Sequence, residues 1–145
     1  LKNAMDTDAV DKAKQLDRNG YRLPTETEWE YAARGGVPSD AAGSAWTYAY
    51  AGTNEENALP NFAWYNVNAS STTHPVGQKA ANSAGLNDMN GNVTEWCFDK
   101  SGTIFHVVRG GSWSESWESC KVANSGTYTT NYAGTNVGFR LVVSR

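Results

Sequence analysis

More than a third of the chain, the stretch Val37–Asn87, shows no regular spacing of its apolar residues. Neither the helical period of 3.6 residues nor the strand period of 2 runs through it. Its aromatic residues, among them Trp46, Trp64 and Tyr65, are isolated among Gly, Ser, Asn and Ala. Because long segments without secondary structure are uncommon in compact domains, this stretch argues against a simple two-layer fold. It predicts long loops that pack through their own aromatic side chains.

Two helices are predicted before this stretch. Asp6–Leu16 has helical spacing of its apolar residues, with acidic residues early and basic residues later, as the helix dipole favours. A second helix should begin after Thr25, because Thr25 and Glu28 have the spacing of a capping box. Gly35 and Gly36 then predict its end.

The last third of the chain contains three candidate strands. Val93–Phe98, Ile104–Arg109 and Val137–Val143 are each rich in β-branched or aromatic residues. The length of 145 residues suits one domain with a real core. The sequence therefore predicts a single α+β domain with two helices, a small antiparallel sheet and many loops.

Charge and composition exclude several classes of function. The net charge is −3 and no run of basic residues occurs, which argues against nucleic acid as a partner. No apolar run is long enough to span a membrane. Cys97 and Cys120 cannot supply a four-ligand zinc site, and the sequence leaves open whether they pair. His74 and His106 are isolated in sequence and are interpreted as structural or surface residues.

Four motifs occur in a fixed order: YRLPTETEWEYAARGG at Tyr21–Gly36, GLNDMNGNVTEW at Gly85–Trp96, VRGGSW at Val108–Trp113 and GFRLV at Gly138–Val142. With these motifs the chain resembles the formylglycine-generating-enzyme-like domain, a branch of the C-type-lectin-like fold. The resemblance covers nearly the whole chain from Gly20 onward. It implies a compact α+β fold with two helices, a small twisted sheet and a loop-rich half that carries the functional surface.

The resemblance also raises the question of copper chemistry. Catalytic members oxidise a peptide cysteine with copper held by two cysteines that follow the GGS motif, here Gly110–Ser112. The second of these positions is Cys120, but the first is Glu115. Cu(I) requires two soft thiolates, and a carboxylate is a hard ligand. The resemblance therefore implies a protein that is not an enzyme and requires no cofactor, with a formylglycine-generating oxidase as the alternative.

The sequence also bears on iron and calcium. Two unrelated histidines do not form an iron site, and the tripeptides with which C-type lectins bind sugar through calcium are absent. The sequence leaves open whether a structural calcium ion binds. In family members such an ion is held by residues that align with Asn90, Gly91, Val93 and Glu95. Backbone carbonyls and a carboxylate are suitable calcium ligands. The alternative is a turn at Asn90 and Gly91 that leads into a strand.

The segment 112–136 has an unusual composition. Eighteen of its 25 residues are Ser, Thr, Gly, Asn, Tyr or Trp. Tyr and Trp offer large, rigid contact areas, while Ser, Gly and Asn offer adaptable hydrogen bonds, as in antibody binding loops. An ordinary polar loop is the alternative, since loops favour Ser, Gly and Asn. Within the segment, Cys120–Ala123 is predicted to be a buried strand or turn.

The position of this segment between two fixed motifs resembles the variable proteins of diversity-generating retroelements. In these, unfaithful copying of template adenines converts Asn codons into codons for Ser, Thr, Gly and Tyr, among others. Glu115 and Trp117 do not arise from an Asn codon in this way. The resemblance implies a constant scaffold at 20–111, a variable binding segment at 112–136 and a final scaffold strand at 137–145.

The predicted function is non-catalytic binding of an external ligand, a protein or another macromolecule. A static module that binds protein or carbohydrate is a further alternative. By resemblance, the protein is expected at the cell surface, with a lipid anchor upstream of Leu1 as one means of attachment. Trp113 is assigned to the scaffold, while Trp117, Tyr128 and Tyr132 are expected to anchor the ligand. The predicted binding residues are Ser114, Glu115, Ser116, Trp117, Ser119, Ser125, Gly126, Tyr128, Tyr132, Gly134 and Thr135.

Overall fold

The structure is a computed structural model that describes residues 20–36 and 45–144. The helix predicted at Asp6–Leu16 lies outside the described residues. The strands are β1 (Gly20–Arg22), β2 (Ala63–Trp64), β3 (Asn90–Gly91), β4 (Thr94–Ser101), β5 (Phe105–Arg109), β6 (Ser125–Thr129), β7 (Val137–Gly138) and β8 (Val142–Ser144). The helices are α1 (Glu26–Ala33) and two short 3-10 helices, Ala45–Thr47 and Glu56–Asn61. In this part of the chain, none of the helices is long and apolar enough to cross a membrane.

Helix α1 begins and ends where the sequence predicts. The Glu28 amide donates to the Thr25 hydroxyl at 3.2 Å, and the Thr25 amide donates to the Glu28 carboxylate at 2.8 Å, which completes the capping box. After the helix, Gly35 and Gly36 adopt φ angles of +93° and +82°, which glycine tolerates best. The buried face of α1 carries Trp29 and packs onto the sheet.

The main sheet has the strand order β6-β5-β4-β7. The pairs β4–β5 and β5–β6 are antiparallel, as predicted, whereas β4–β7 is parallel. The short pair β2–β3 is also parallel, and β1 pairs with β8 in an antiparallel ribbon. The α+β class is thus confirmed, and the prediction of an antiparallel sheet needs one correction. The chain crosses from β6 to the opposite edge of the sheet, so β7 enters it alongside β4 in the same direction.

Two details of the strands differ from the sequence-based prediction. The predicted strand Val137–Val143 is two strands, β7 and β8, that belong to different sheets. Between them Arg140 turns inward to pair with Glu95, while Phe139 and Leu141 remain exposed. Strand β6 was not predicted, because its sequence SGTYT resembles a polar loop; it forms an edge of the main sheet.

The described part of the aperiodic stretch packs as predicted, through its aromatic residues. Tyr50 and Tyr65 are buried in a cluster with Leu59, Ala63 and Cys120. A second cluster surrounds Trp29 and comprises Ala33, Ala51, Met89, Cys97, Val107 and Val122. The loops are thus part of the core, because large rings supply the apolar area that regular elements do not.

Asparagine side chains hold these loops in place. Asn82 donates to the carbonyls of Ala32 and Ala33 at 2.7 and 3.0 Å, and so satisfies the end of helix α1. Asn90 is buried and exchanges two hydrogen bonds of 2.9 Å with the backbone of Ala51. These contacts fix long segments that have no strand or helix partner of their own.

Candidate functional site

The backbone of segment 112–136 is attached to the scaffold by hydrogen bonds between main-chain groups. Four of them, between 2.8 and 3.0 Å long, join Trp113 to Asn92, Asn66 to Glu115, Val122 to Ala49 and Thr94 to Asn136. None of these bonds depends on the identity of a side chain. The path of the segment is therefore set mainly by its backbone.

Three buried side chains add to this attachment. Ser112, Cys120 and Val122 are at most 1% exposed. The prediction that Cys120–Ala123 is a buried strand or turn is confirmed for Cys120 and Val122, which each contribute to one of the two core clusters, whereas Lys121 is half-buried and Ala123 is exposed. Ser112 donates to the Glu115 carboxylate at 2.7 Å.

All eleven predicted binding residues reach the surface to some extent. Four are exposed: Ser114, Ser125, Tyr132 and Thr135. The other seven are half-buried: Glu115, Ser116, Trp117, Ser119, Gly126, Tyr128 and Gly134. The mixture of exposed and half-buried positions is that of a loop attached to the scaffold on one side and accessible to solvent on the other.

An aromatic group forms one part of this surface. Tyr128 and Tyr132 stack with ring centroids 4.2 Å apart, and Trp96 meets Tyr128 edge-on at 6.0 Å. The side chain of Asn136 links the two phenols: it accepts from Tyr132 at 3.0 Å and donates to Tyr128 at 3.3 Å. Burial raises the pKa of Tyr128 above its usual value, so the phenol remains protonated at neutral pH. The His106 ring meets the Trp96 ring edge-on, with the two ring centroids 6.3 Å apart.

The group includes residues that the sequence-based prediction missed. Trp96, His106 and Asn136 were not among the predicted binding residues. The pairing of His106 with Tyr128 between β5 and β6 brings Trp96 close to the segment. That register joins positions far apart in sequence, and only Asn136, as part of the polar segment, carried a local signal.

Gly134 and Thr135 help to position this aromatic group and do not enlarge its contact surface. A Cβ atom on Gly134 would lie 2.6 Å from both the Tyr132 hydroxyl and the Asn136 side-chain oxygen. The carbonyl of Thr135 accepts a hydrogen bond of 3.2 Å from the Trp113 indole. Trp113, assigned to the scaffold, thus holds the end of the segment in place.

Trp117 packs against the core. Its ring packs against the cluster of Tyr65 and Cys120, and the Lys121 ammonium lies 4.4 Å from the ring centroid. Ser116 donates to the carboxylate of the exposed Glu118. Trp117 is therefore partly a packing residue, with only its outer face open to a ligand.

A cavity of about 150 Å³ lies between the turn of Glu115 and strand β6. It brings together three predicted residues, Glu115, Gly126 and Tyr128, with the buried Gly110 and Gly111 of the GGS motif. The Glu115 carboxylate accepts hydrogen bonds from Ser112 and Thr94. The cavity is thus polar and anionic at the position where catalytic relatives are expected to hold a thiolate.

The donor set at this position does not fit copper. Cys97 and Cys120 are both free and buried, and they belong to different core clusters. Burial raises the pKa of each thiol to about 12, so both stay protonated at neutral pH. One protonated thiol and the carboxylate of Glu115 do not provide the two soft ligands that Cu(I) requires.

Among the residues predicted to bind calcium, Glu95 supplies the carboxylate, and the surroundings of this carboxylate do not fit the ion. Glu95 is 5% exposed, and both of its oxygens pair with the Arg140 guanidinium at 2.5 and 2.7 Å. The Trp29 indole donates to it as well, at 2.6 Å. The Asn90 side-chain oxygen already accepts a hydrogen bond from the Ala51 amide. The described residues contain no cluster of three His, Cys, Asp or Glu that could hold a metal. A guanidinium thus occupies the place of a cation beside Glu95.

We expect the thermal midpoint of unfolding to be the same in millimolar calcium and in excess chelator. A ligand at a hundred times its Kd would raise the free energy of unfolding by about 2.7 kcal/mol, so a resident ion would be readily detected. Differential scanning calorimetry checks this. A clear, calcium-dependent rise of the midpoint would contradict this prediction and show that the folded protein binds the ion.

The sequence motifs and this fold are matched by a known family. The family model of the sulfatase-modifying factor enzyme 1-like domain matches residues 5–145. The chain belongs to this family. Among solved structures, Treponema denticola variable protein 1 is similar, with a TM-score of 0.79 and 36% identity over 90% of this chain and 50% of that one. The predicted resemblance to formylglycine-generating enzymes and variable proteins is thereby confirmed.

Relatives of this chain differ in function. A chaperone protein LppX of Paenibacillus barcinonensis is 34% identical over 88% of this chain and 50% of its own length. An inactive C-alpha-formylglycine-generating enzyme 2 of Mus musculus is 30% identical over 86% and 44%. A formylglycine-generating enzyme of Mycobacterium tuberculosis is 42% identical over 53% and 26%. The chain thus spans half the length or less of these relatives, which include both active and inactive members.

Proposed function

We propose that the protein is a non-catalytic binding protein that presents segment 112–136 to an external macromolecule. In this proposal a retroelement diversifies the segment, and the protein is displayed at the cell surface through a lipid anchor. Nucleic acid is not the partner. The ligand is a protein or another macromolecule, held by the aromatic group around Tyr128 and by the outer face of Trp117.

One observation carries this proposal: main-chain hydrogen bonds hold the segment, while many of its side chains face solvent. Exposed side chains away from special features usually change stability by no more than about 0.5 kcal/mol when replaced. A segment of this kind can accept many sequences without loss of the fold. The similarity to a variable protein and to an inactive formylglycine-generating enzyme supports the same reading.

Replacing Ser114, Ser116 and Ser125 together by alanine should leave the thermal midpoint within a few degrees of the natural value. The first and last of these are exposed, the Ser114 hydroxyl lies 3.1 Å from that of Ser112, and the Ser116 hydroxyl donates to the exposed Glu118. The matched control is Ser112→Ala, because the buried Ser112 hydroxyl supports Glu115; its loss should cost about 1 to 3 kcal/mol. Thermal unfolding monitored by circular dichroism measures both. A triple variant less stable than Ser112→Ala would place these serines in the core and defeat the proposal.

The alternative function, a formylglycine-generating oxidase, is tested by copper. We expect the natural protein to bind no stoichiometric Cu(I) and to leave a cysteine-containing peptide unoxidised, because Glu115 cannot act as the second thiolate. The Glu115→Cys variant is the control, since it creates the missing soft ligand near Cys120. Metal analysis after dialysis, with mass spectrometry of the peptide, gives the answer. Turnover by the natural protein would establish the enzyme instead.

A further inference from the structure

The cavity beside Glu115 has the dimensions of a site for one small group. Its volume of about 150 Å³ lies below the 300 to 1,000 Å³ typical of pockets for whole small molecules. Its inner wall includes Thr94 and Gly111, which are buried, whereas Asn124 and Thr127 at its rim are exposed. The cavity therefore opens beside the start of strand β6, within the surface formed by segment 112–136.

The Glu115 carboxylate offers this cavity an unused acceptor. Ser112 and Thr94 both donate to the same oxygen, Oε2, at 2.7 and 3.0 Å. No described residue donates to the other oxygen, Oε1. A half-buried carboxylate with one unused oxygen favours a donor that also carries positive charge, because charge-assisted hydrogen bonds are the stronger ones.

The other charged group at the cavity has carboxylate partners of its own. Arg109 also lines it, but its guanidinium pairs with Glu26 at 3.1 Å and with Glu30 at 2.5 Å, and donates to the Val122 carbonyl. The Arg109 Nε–H is buried and has no hydrogen-bond partner among the described residues, but Arg109 forms its ion pairs with Glu26 and Glu30 and not with Glu115. Glu115 therefore keeps a negative charge that no ion pair within the described residues compensates, and the Tyr128 ring in the cavity wall can add a cation–π contact.

We infer that this cavity binds one cationic head group, the guanidinium or ammonium of an Arg or Lys side chain on the ligand. This inference rests on the proposed function and names the chemistry of one contact within it. Gly126 leaves the wall of the cavity at β6 without a side chain, and the Glu115 oxygen forms the acceptor.

The inference is tested with small probes on the natural protein. Nα-acetyl-arginine amide and Nα-acetyl-lysine amide carry the two cations, and Nα-acetyl-citrulline amide is the uncharged analogue of arginine. In NMR titrations we expect saturable shifts of the Gly110, Gly111 and Gly126 amides with a Kd of about 1 to 10 mM for at least one cation. Citrulline should bind at least about tenfold more weakly.

Two variants locate the charge that is responsible. Glu115→Gln keeps the shape and one acceptor, and should weaken binding of the cation about tenfold. Glu118→Gln removes an exposed carboxylate of the same turn outside the cavity, and should change binding less than about twofold. Equal binding of citrulline, an unchanged affinity in Glu115→Gln, or no saturable shift up to about 50 mM probe would overturn the inference.

These outcomes are separate from those that test the proposed function. A serine triple variant that unfolds would defeat the binding surface, yet the titration of the natural protein would still be readable. Conversely, a tolerant triple variant without cation binding would leave the surface intact and remove only this contact.

Discussion

The Trp29→Ala variant is expected to lose about 4 kcal/mol of its free energy of unfolding. Trp29 is 1% exposed and packs with Met89, Cys97 and Val107 between helix α1 and the sheet. Truncation removes the largest buried ring and leaves a cavity that the surrounding strands cannot fill. It also removes the indole donor to Glu95. Urea denaturation measures the loss, as a shift of the midpoint at an unchanged m-value.

Two variants serve as controls for this result. Tyr31→Ala lies on the same helix but is 43% exposed, so it should cost about 1 kcal/mol or less. Trp29→Phe keeps an aromatic ring but lacks the hydrogen bond to Glu95, and should fall between the two. If Trp29→Ala cost no more than Tyr31→Ala, α1 would not be packed against the sheet as described.

The Glu95→Ala variant should lose about 3 kcal/mol, because it removes the buried carboxylate of an ion pair whose guanidinium is half-buried. Both oxygens of Glu95 contact Arg140, so its removal leaves a guanidinium without a counter-ion and the Trp29 indole without an acceptor. Arg140 also donates to the carbonyls of Asn87 and Asp88, which tie it to the loop before β3. Thermal or urea unfolding at neutral pH measures the effect.

A double-mutant cycle separates the pair from its surroundings. Arg140→Ala alone should also destabilise the protein, and the double variant with Glu95→Ala should lose clearly less than the two single losses combined. Glu118→Ala is the control, because that carboxylate is exposed and should contribute little. Strict additivity of Glu95→Ala and Arg140→Ala would contradict the ion pair.

The elements that could be predicted from sequence are those specified locally. Thr25 and Glu28 form the capping box within four residues, and Gly35 and Gly36 end the same helix. Strand β5 was predicted to within one residue, and the first part of β4 was predicted as well, since β-branched and aromatic residues mark both; the polar end of β4, residues 99–101, was missed. Strand β6 was missed, because its five residues lack apolar character and it forms only by pairing with β5.

The candidate site was predicted in part for the same reason. Its composition and its place between two motifs were visible in the sequence, and all eleven residues reach the surface. The role of Trp96 depends on the register of β5 and β6, which local sequence does not specify. Glu95 was predicted from the family pattern as a calcium ligand, and its pairing with Arg140 required a contact across 45 residues of chain.

Glu115 bears both on copper chemistry and on the proposed binding function. At this position the chain carries a hard carboxylate, and the neighbouring Cys120 is buried with its thiol pKa raised to about 12. Copper chemistry is thereby disfavoured, while a small anionic cavity opens to the surface. The change from a thiolate to a carboxylate is the physical basis for proposing binding in place of oxidation.

The proposal that segment 112–136 is diversified is tested most directly by sequencing. The coding region and its genomic neighbourhood are sequenced in many independently grown populations of the source cells. We expect substitutions concentrated in codons of segment 112–136, at exposed positions such as Ser114, Ser125 and Thr135, with the scaffold codons unchanged. We also expect a near-copy of the region encoding residues 112–142 beside a reverse transcriptase. Substitutions spread evenly over scaffold and segment, with no such copy, would contradict a diversified binding surface.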